Sequence, residues 1–186
     1  MSRHSEYIVR PFQAEDAESM FGAVTASLPE LCAWLPWCTP DYSIKDATGW
    51  VAFTIQAWSK RTEFPLGVFE KSTNTVVGGT GINHINAAHG IGNLGYWVST
   101  PHTGKGIARF AAKEAARLAF NKLGITRLEI VTLTDNIPSQ RVARSLRATE
   151  ECIARNRLRL GESARDAFVF SLVPSDTALW QKESDA

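Results

Sequence analysis

Residues 94–108 decide the fold, and they read LGYWVSTPHTGKGIA. The first five form a short apolar run typical of a strand, and Gly104 and Gly106 form a loop before an amphipathic helix. Glycines let a backbone turn tightly and approach a ligand, and the first N–H groups of the helix then present a partial positive charge to it. The segment therefore predicts an anion-binding cradle between a strand and a helix.

Two better-known glycine motifs do not fit this chain. Gly90, Gly92 and Gly95 have the spacing of a dinucleotide-binding fingerprint, but a strand follows them where that fingerprint needs a helix. The later loop is not a Walker A loop either, because no Ser or Thr follows Lys105.

The rest of the chain predicts strands and helices in alternation around this segment. Strands are predicted at residues 7–11, 64–70, 75–82, 94–98, 127–133, 150–158 and 167–173, and helices at 13–26, 44–60, 106–123 and 137–146, with a short helix ending near residue 35. Along residues 44–60, opened by a Ser43-x-x-Asp46 capping box, one flank is expected to carry Trp50, Phe53, Ala57 and Trp58. A loop is expected at 84–92. These elements predict a single domain over residues 1–174 and a polar tail over residues 175–186.

Composition limits the classes of function. The 186 residues carry 20 Lys and Arg against 19 Asp and Glu, and a net charge of +1 gives no broad attraction for nucleic acid. The sequence has neither a run of 18 apolar residues nor an export signal, so the cytoplasm is the expected location and no membrane partner is predicted. Three cysteines and four dispersed histidines predict neither a disulfide framework nor a metal site.

Four motifs together resemble the GNAT acyltransferase superfamily, and within it the RimL/RimJ branch of protein N-terminal acetyltransferases. They are Gly95-Tyr-Trp97, Gly104-Lys-Gly-Ile107, Asn136-x-x-Ser139 followed by Val142-Ala143, and Trp34-Leu-Pro-Trp37. The resemblance implies an α/β (α+β) GNAT fold with a mixed, mostly antiparallel sheet of six to seven strands and helices on both faces. A splayed pair of parallel strands would form the cleft for acetyl-CoA, the implied cosubstrate.

The same resemblance implies roles for individual residues. The pyrophosphate would be held by the backbone amides of Gly104, Lys105, Gly106, Ile107 and Ala108. The pantetheine arm would contact Asn136 and the backbone of Trp97 and Val98. The Val98 N–H would also polarise the thioester carbonyl, and Ser139 would donate a hydrogen bond or a proton to the departing thiolate. Trp37, His84 and Tyr96 would bind the acceptor.

Two departures from the family pattern bear on the identity of the acceptor. Asn93 stands where many family members carry a glutamate that could act as a base, and Arg157 stands where the serine-acetylating members carry a glutamate. An α-amine with a pKa of about 7.8 is roughly a quarter neutral near pH 7.3, whereas a lysine side chain at about 10.4 is neutral in about one molecule per thousand. The missing carboxylates therefore favour an N-terminal α-amine of a protein, of the ribosomal-protein type.

Two alternatives stay open at the level of sequence. The acceptor could be a small amine such as an amino acid, a polyamine or an antibiotic, or the chain could bind coenzyme A without turnover. A homodimer is expected from the resemblance alone.

Overall fold

The computed structural model describes residues 5–182, and a seven-stranded sheet in the order β1-β2-β3-β4-β5-β7-β6 forms its centre. Among the described strands, β4 and β5 pair in parallel and all other neighbours pair antiparallel. The strands are β1 Tyr7–Arg10, β2 Phe64–Glu70, β3 Thr75–Asn86, β4 Ile91–Val98, β5 Arg127–Leu133, β6 Thr149–Leu160 and β7 Ser163–Leu172. This confirms the mixed, mostly antiparallel sheet predicted from the sequence.

Six helices accompany the sheet in the described part of the chain. They are α1 Ala17–Thr25, α2 Leu28–Cys32, α3 Ile44–Lys60, α4 Ile107–Lys122, α5 Ile137–Ser145 and α6 Pro174–Lys182. The predicted capping box opens α3, where the Asp46 carboxylate accepts hydrogen bonds from the Ser43 N–H at 2.9 Å and the Ser43 hydroxyl at 2.6 Å. Within residues 5–182, the helices are too short or too polar to cross a membrane.

Helices cover both faces of the sheet. Val76 of β3 packs in a cluster with Met20 of α1 and Ala47 of α3, whereas the next residue, Val77, packs with Ile107 of α4. Successive residues of a strand point to opposite faces. The helices α1 and α3 therefore lie on one face and α4 on the other, as predicted.

The predicted loop over residues 84–92 is wrong in its extent. Strand β3 runs to Asn86 and β4 begins at Ile91, so His84 lies within a strand. His84 has a φ of 48°, and the pairing register of β3 with β4 shifts between Asn83 and Asn86. This register shift accommodates the left-handed backbone of His84 without ending the strand, as a β-bulge does.

The residues predicted on one flank of α3 are divided between inward-packing and exposed positions: Ala57 is buried and Trp58 packs against the core. The helix buries its small side chains and Val51, in the set Ala47, Val51, Thr54 and Ala57. Trp50 and Phe53 remain 38% and 42% exposed. Small side chains let α3 pack closely on its neighbours, which turns the large aromatic rings outward.

The polar tail predicted after residue 174 is wrong for the part that the structure describes. Helix α6 spans Pro174–Lys182, and Trp180 is fully buried in the main core. Its indole N–H donates to the Leu146 carbonyl oxygen at 2.9 Å. The packed unit therefore extends beyond residue 174 to at least Trp180, while residues 183–186 of the predicted tail lie outside the described residues.

Candidate active site

A cleft opens where β4 and β5 separate. Their parallel pairing covers three residue pairs and ends at Asn93 with Glu129. On the other side of β4, the Ser99 N–H donates to the Val77 carbonyl at 2.9 Å. Since hydrogen bonds alternate along an antiparallel strand, the N–H and C=O of Val98 point away from β3 and into the cleft.

The N-terminus of α4 borders this cleft. Gly104 and Gly106 have φ values of 73° and 77°, a backbone conformation that glycine adopts without strain. Gly106 is the N-cap residue, and the first intrahelical hydrogen bond runs from the Phe110 N–H to the Gly106 carbonyl at 3.0 Å. The N–H groups of Ile107 and Ala108 precede this bond, as expected for a helix end that can bind an anion.

The residues of the glycine loop contribute in different ways. The cavity wall includes Gly104, Gly106, Ile107 and Ala108. The side chain of Ile107 is buried in the core, so Ile107 presents only its backbone to a ligand. Lys105 is exposed to solvent and is not part of the wall. A diphosphate would therefore meet backbone amides rather than the lysine side chain.

Asn136, Ser139 and Tyr96 meet at the opposite wall of the cleft. The Asn136 side-chain oxygen accepts from the Ser139 N–H at 3.1 Å and so caps α5. The Tyr96 hydroxyl donates to the Ser139 carbonyl at 2.9 Å, and the Ser139 hydroxyl donates to the Tyr96 oxygen at 3.3 Å. Burial raises the pKa of Tyr96 to about 12, so its hydroxyl keeps its proton at neutral pH. Tyr96, predicted for the acceptor, thus contacts the residue predicted to face the sulfur.

Trp97 lies on the other face of the sheet. Its indole packs with the buried cluster that contains Met20 of α1 and Ala47 of α3, and it contacts the ring of Trp37 edge-on, with the centroids 6.2 Å apart. Because Trp97 neighbours Tyr96 on one strand, the two side chains point to opposite faces. The Trp97 side chain therefore lies with the predicted acceptor residue Trp37, while the backbone of Trp97, predicted to contact the pantetheine arm, lies on β4 beside Val98.

One large cavity connects all these groups. Its volume is about 1500 Å³, and its wall contains Trp37, His84, Tyr96, Trp97, Val98, Asn136 and Ser139. Sequence reasoning did not assign Trp50, Phe53, Arg109, Arg141 and His102 to this wall, yet they line it. Burial and the nearby Lys105 lower the pKa of His102, whose ring nitrogen Nδ1 lies 2.9 Å from the Ser99 hydroxyl. No local sequence signal brings these residues together, because they come from separate elements.

A second, smaller cavity of about 310 Å³ lies beside the parallel strand pair. Its wall includes His84, Asn93, Glu129 and Arg157. The Asn93 side chain donates to the Asn83 side-chain oxygen at 2.8 Å. Glu129 forms ion pairs with Arg127 at 3.1 Å and with Arg157 at 3.7 Å. Arg127 also pairs with Glu151 at 2.6 Å, so Glu129 shares one of its two guanidinium partners with a second carboxylate.

Among the described residues, no group of three or more His, Cys, Asp and Glu side chains is arranged to hold a metal ion.

Comparisons with known proteins agree with this geometry. A model of the acetyltransferase (GNAT) domain family matches residues 7–149. The uncharacterized N-acetyltransferase p20 of Bacillus licheniformis is 29% identical over 113 residues, which are 61% of this chain and 64% of that relative. The chain thus aligns with somewhat less than two thirds of the length of p20.

Solved structures are similar over nearly the whole chain. A Vibrio cholerae protein, named as a candidate ribosomal-protein-serine acetyltransferase, is 30% identical with a TM-score of 0.80, covering 91% of this chain and 95% of that one. RimL, a ribosomal L7/L12 alpha-N-protein acetyltransferase in complex with coenzyme A, is 19% identical with a TM-score of 0.83, covering 91% and 94%. The second similarity shows a shared fold.

Proposed function

The chain belongs to the GNAT acetyltransferase family, and from this membership we propose that it acetylates the N-terminal α-amine of a protein. Acetyl-CoA is the acetyl donor, and the amine attacks the donor directly, without a covalent enzyme intermediate. The 30% identical Vibrio cholerae structure, named for ribosomal-protein serine acetylation, supports an acceptor of this kind.

The residues of the cleft fit the donor. The N–H groups at the start of α4, with the left-handed Gly104 and Gly106, suit a diphosphate, because a helix N-terminus and oriented amides favour negative charge. Asn136 borders the same cavity at the start of α5, where a pantetheine arm would pass. When bound, acetyl-CoA supplies the thioester whose carbonyl carbon the amine attacks.

Two groups of this chain are proposed to act on the reacting atoms. The Val98 N–H points into the cleft from the free side of β4 and can donate to an oxygen that gains negative charge. The Ser139 hydroxyl is the proposed donor of a hydrogen bond or a proton to the leaving sulfur. Tyr96 holds Ser139 by a bond to its carbonyl, so we assign Tyr96 a positioning role in place of acceptor binding.

The ion pairing of Glu129 is the observation that favours an α-amine as the acceptor. In the small cavity the carboxylate is bound by Arg127 and Arg157, and the neighbouring Asn93 cannot act as a base. An acceptor that is already partly neutral near pH 7 needs no strong base, which favours an α-amine over a lysine side chain. Water would then carry the proton away.

The test is release of coenzyme A from acetyl-CoA, followed with a thiol reagent. We expect release with short peptides that have free N-termini, and none with the same peptides blocked at the N-terminus. Release with a panel of small amines but not with peptides would assign the alternative acceptor class. In parallel, acetyl-CoA should raise the melting temperature. An unchanged melting temperature together with no release would contradict the assignment of the donor.

A further inference from the structure

Helix α3 carries two stripes of different character. One stripe is buried and consists of Ala47, Val51, Thr54 and Ala57. The other contains Lys45, Asp46, Gly49, Trp50 and Phe53 and lines the large cavity. Spacings of three and four residues bring the members of each stripe to one side of a helix. The second stripe is therefore a continuous part of the cavity wall and not an incidental set of surface residues.

Two large aromatic side chains form the apolar part of this second stripe. The rings of Trp50 and Phe53 stack with centroids 5.4 Å apart and an angle of 30° between their planes. Their exposed fractions are 38% and 42%, so each ring keeps a large apolar surface facing the cavity. A contiguous apolar surface of this kind inside a ligand cavity marks a site for an apolar group.

Gly49 adds a second, independent observation. It lies inside α3 next to Trp50, where glycine is a poorer helix former than alanine. A Cβ built at Gly49 would meet nothing within 4 Å, so packing does not require the glycine. Gly49 lines the cavity, and the absent side chain leaves room in the cavity at this position. The glycine is explained if a ligand occupies that space.

We infer that Gly49, Trp50 and Phe53 form a subsite for a large apolar side chain at the second residue of the acceptor peptide. This inference rests on the proposed function. The wall of one cavity contains Val98 and Ser139 together with the α3 stripe, so a residue attached to the reacting amine lies in continuous space with the aromatic pair. Aromatic surfaces bind aromatic and large aliphatic side chains, and their negative faces gain little from acidic ones.

The test compares two peptides that share a serine first residue and differ at the second, with phenylalanine in one and aspartate in the other. For the wild-type protein we expect kcat/KM to favour the phenylalanine peptide by about tenfold or more. Trp50→Ala should reduce this ratio by about tenfold, chiefly through KM for the phenylalanine peptide. Ile55→Ala is the matched control, because Ile55 is 43% exposed on the same helix and does not line the cavity.

Gly49→Ala separates ligand binding from folding. Alanine should raise Tm by about 2–4 °C, because it is the better helix former. It should also raise KM for the phenylalanine peptide several-fold, a change that a merely structural role would not produce. An increase in Tm with an unchanged KM would overturn the subsite.

Other outcomes are equally decisive. A wild-type preference for the aspartate peptide, or an unchanged ratio in Trp50→Ala, would overturn the subsite and leave the proposed function intact. A change of oligomeric state in Trp50→Ala by light scattering, with the peptide ratio unchanged, would assign the patch to a second copy of the chain. Turnover of small amines with no turnover of either peptide would reject the proposed function and the subsite together.

Discussion

Replacing Tyr96 with phenylalanine separates two possible roles for this residue. The variant deletes the hydroxyl that donates to the Ser139 carbonyl at 2.9 Å and accepts from the Ser139 hydroxyl at 3.3 Å. The ring and its packing are retained. If Tyr96 positions Ser139, kcat falls and KM for the acceptor stays unchanged, whereas an acceptor-binding role would raise KM.

The expected magnitudes follow from the two bonds. Loss of the shorter bond should lower the free energy of unfolding by about 1–2 kcal/mol. Misplacement of the Ser139 hydroxyl should reduce kcat by up to about 10²-fold. Ser139→Ala removes the proposed donor itself and should reduce kcat by about 10²–10⁴-fold.

The assay is steady-state release of coenzyme A by wild type, Tyr96→Phe, Ser139→Ala and the double variant. If Tyr96 acts through Ser139, the double variant loses no more activity than Ser139→Ala alone. Because burial raises the pKa of Tyr96 to about 12, the profile of kcat between about pH 6 and 9 should keep its shape in Tyr96→Phe. Full kcat in Tyr96→Phe, or losses that multiply in the double variant, would refute the positioning role.

Three further predictions concern stability and thiol reactivity. Trp180→Ala should cost about 3–5 kcal/mol in chemical unfolding, since the indole is fully buried, and a loss below 1 kcal/mol would refute the packed terminal helix. Burial opposes ionisation of Asp16, yet hydrogen bonds from Arg10 at 2.7 and 2.9 Å hold its pKa below the usual range. The free energy of unfolding of the wild type should thus decrease as the pH falls below about 4. Asp16→Asn should have a free energy of unfolding about 1.5–3 kcal/mol lower at pH 7 and should lose less of it in acid. Equal acid sensitivity of the two proteins would contradict this. Burial raises the pKa of Cys38 to about 12, whereas Cys152 is exposed. After brief alkylation of the folded protein at pH 8, mass spectrometry should therefore find Cys152 modified and Cys38 intact. Equal modification of the two cysteines would contradict the burial of Cys38.

The strands and helices were predictable because the sequence patterns that indicate them lie within short stretches of consecutive residues. The predicted strand over residues 127–133 and the predicted helix from residue 137 match β5 and the start of α5. The glycine loop before α4 was recognised for the same reason, since its residues are adjacent in the chain. These predictions required only the spacing of residue types along the chain.

Contacts between distant residues could not be predicted in the same way. Tyr96 and Ser139 are 43 positions apart, and their hydrogen bonds depend on how β4 meets α5 in three dimensions. The buried stripe of α3 could not be read from the spacing of Trp50 and Phe53, because that stripe uses mainly small residues. Trp180 was missed because one buried tryptophan in a polar segment leaves no periodic pattern.

The most direct test of the account is mass spectrometry of an acceptor peptide that contains both a free N-terminal amine and an internal lysine. After incubation with the protein and acetyl-CoA, fragment ions should locate the acetyl group on the α-amine and leave the lysine unmodified. An acetyl group on the lysine, or no more modification than in a reaction without protein, would contradict the account.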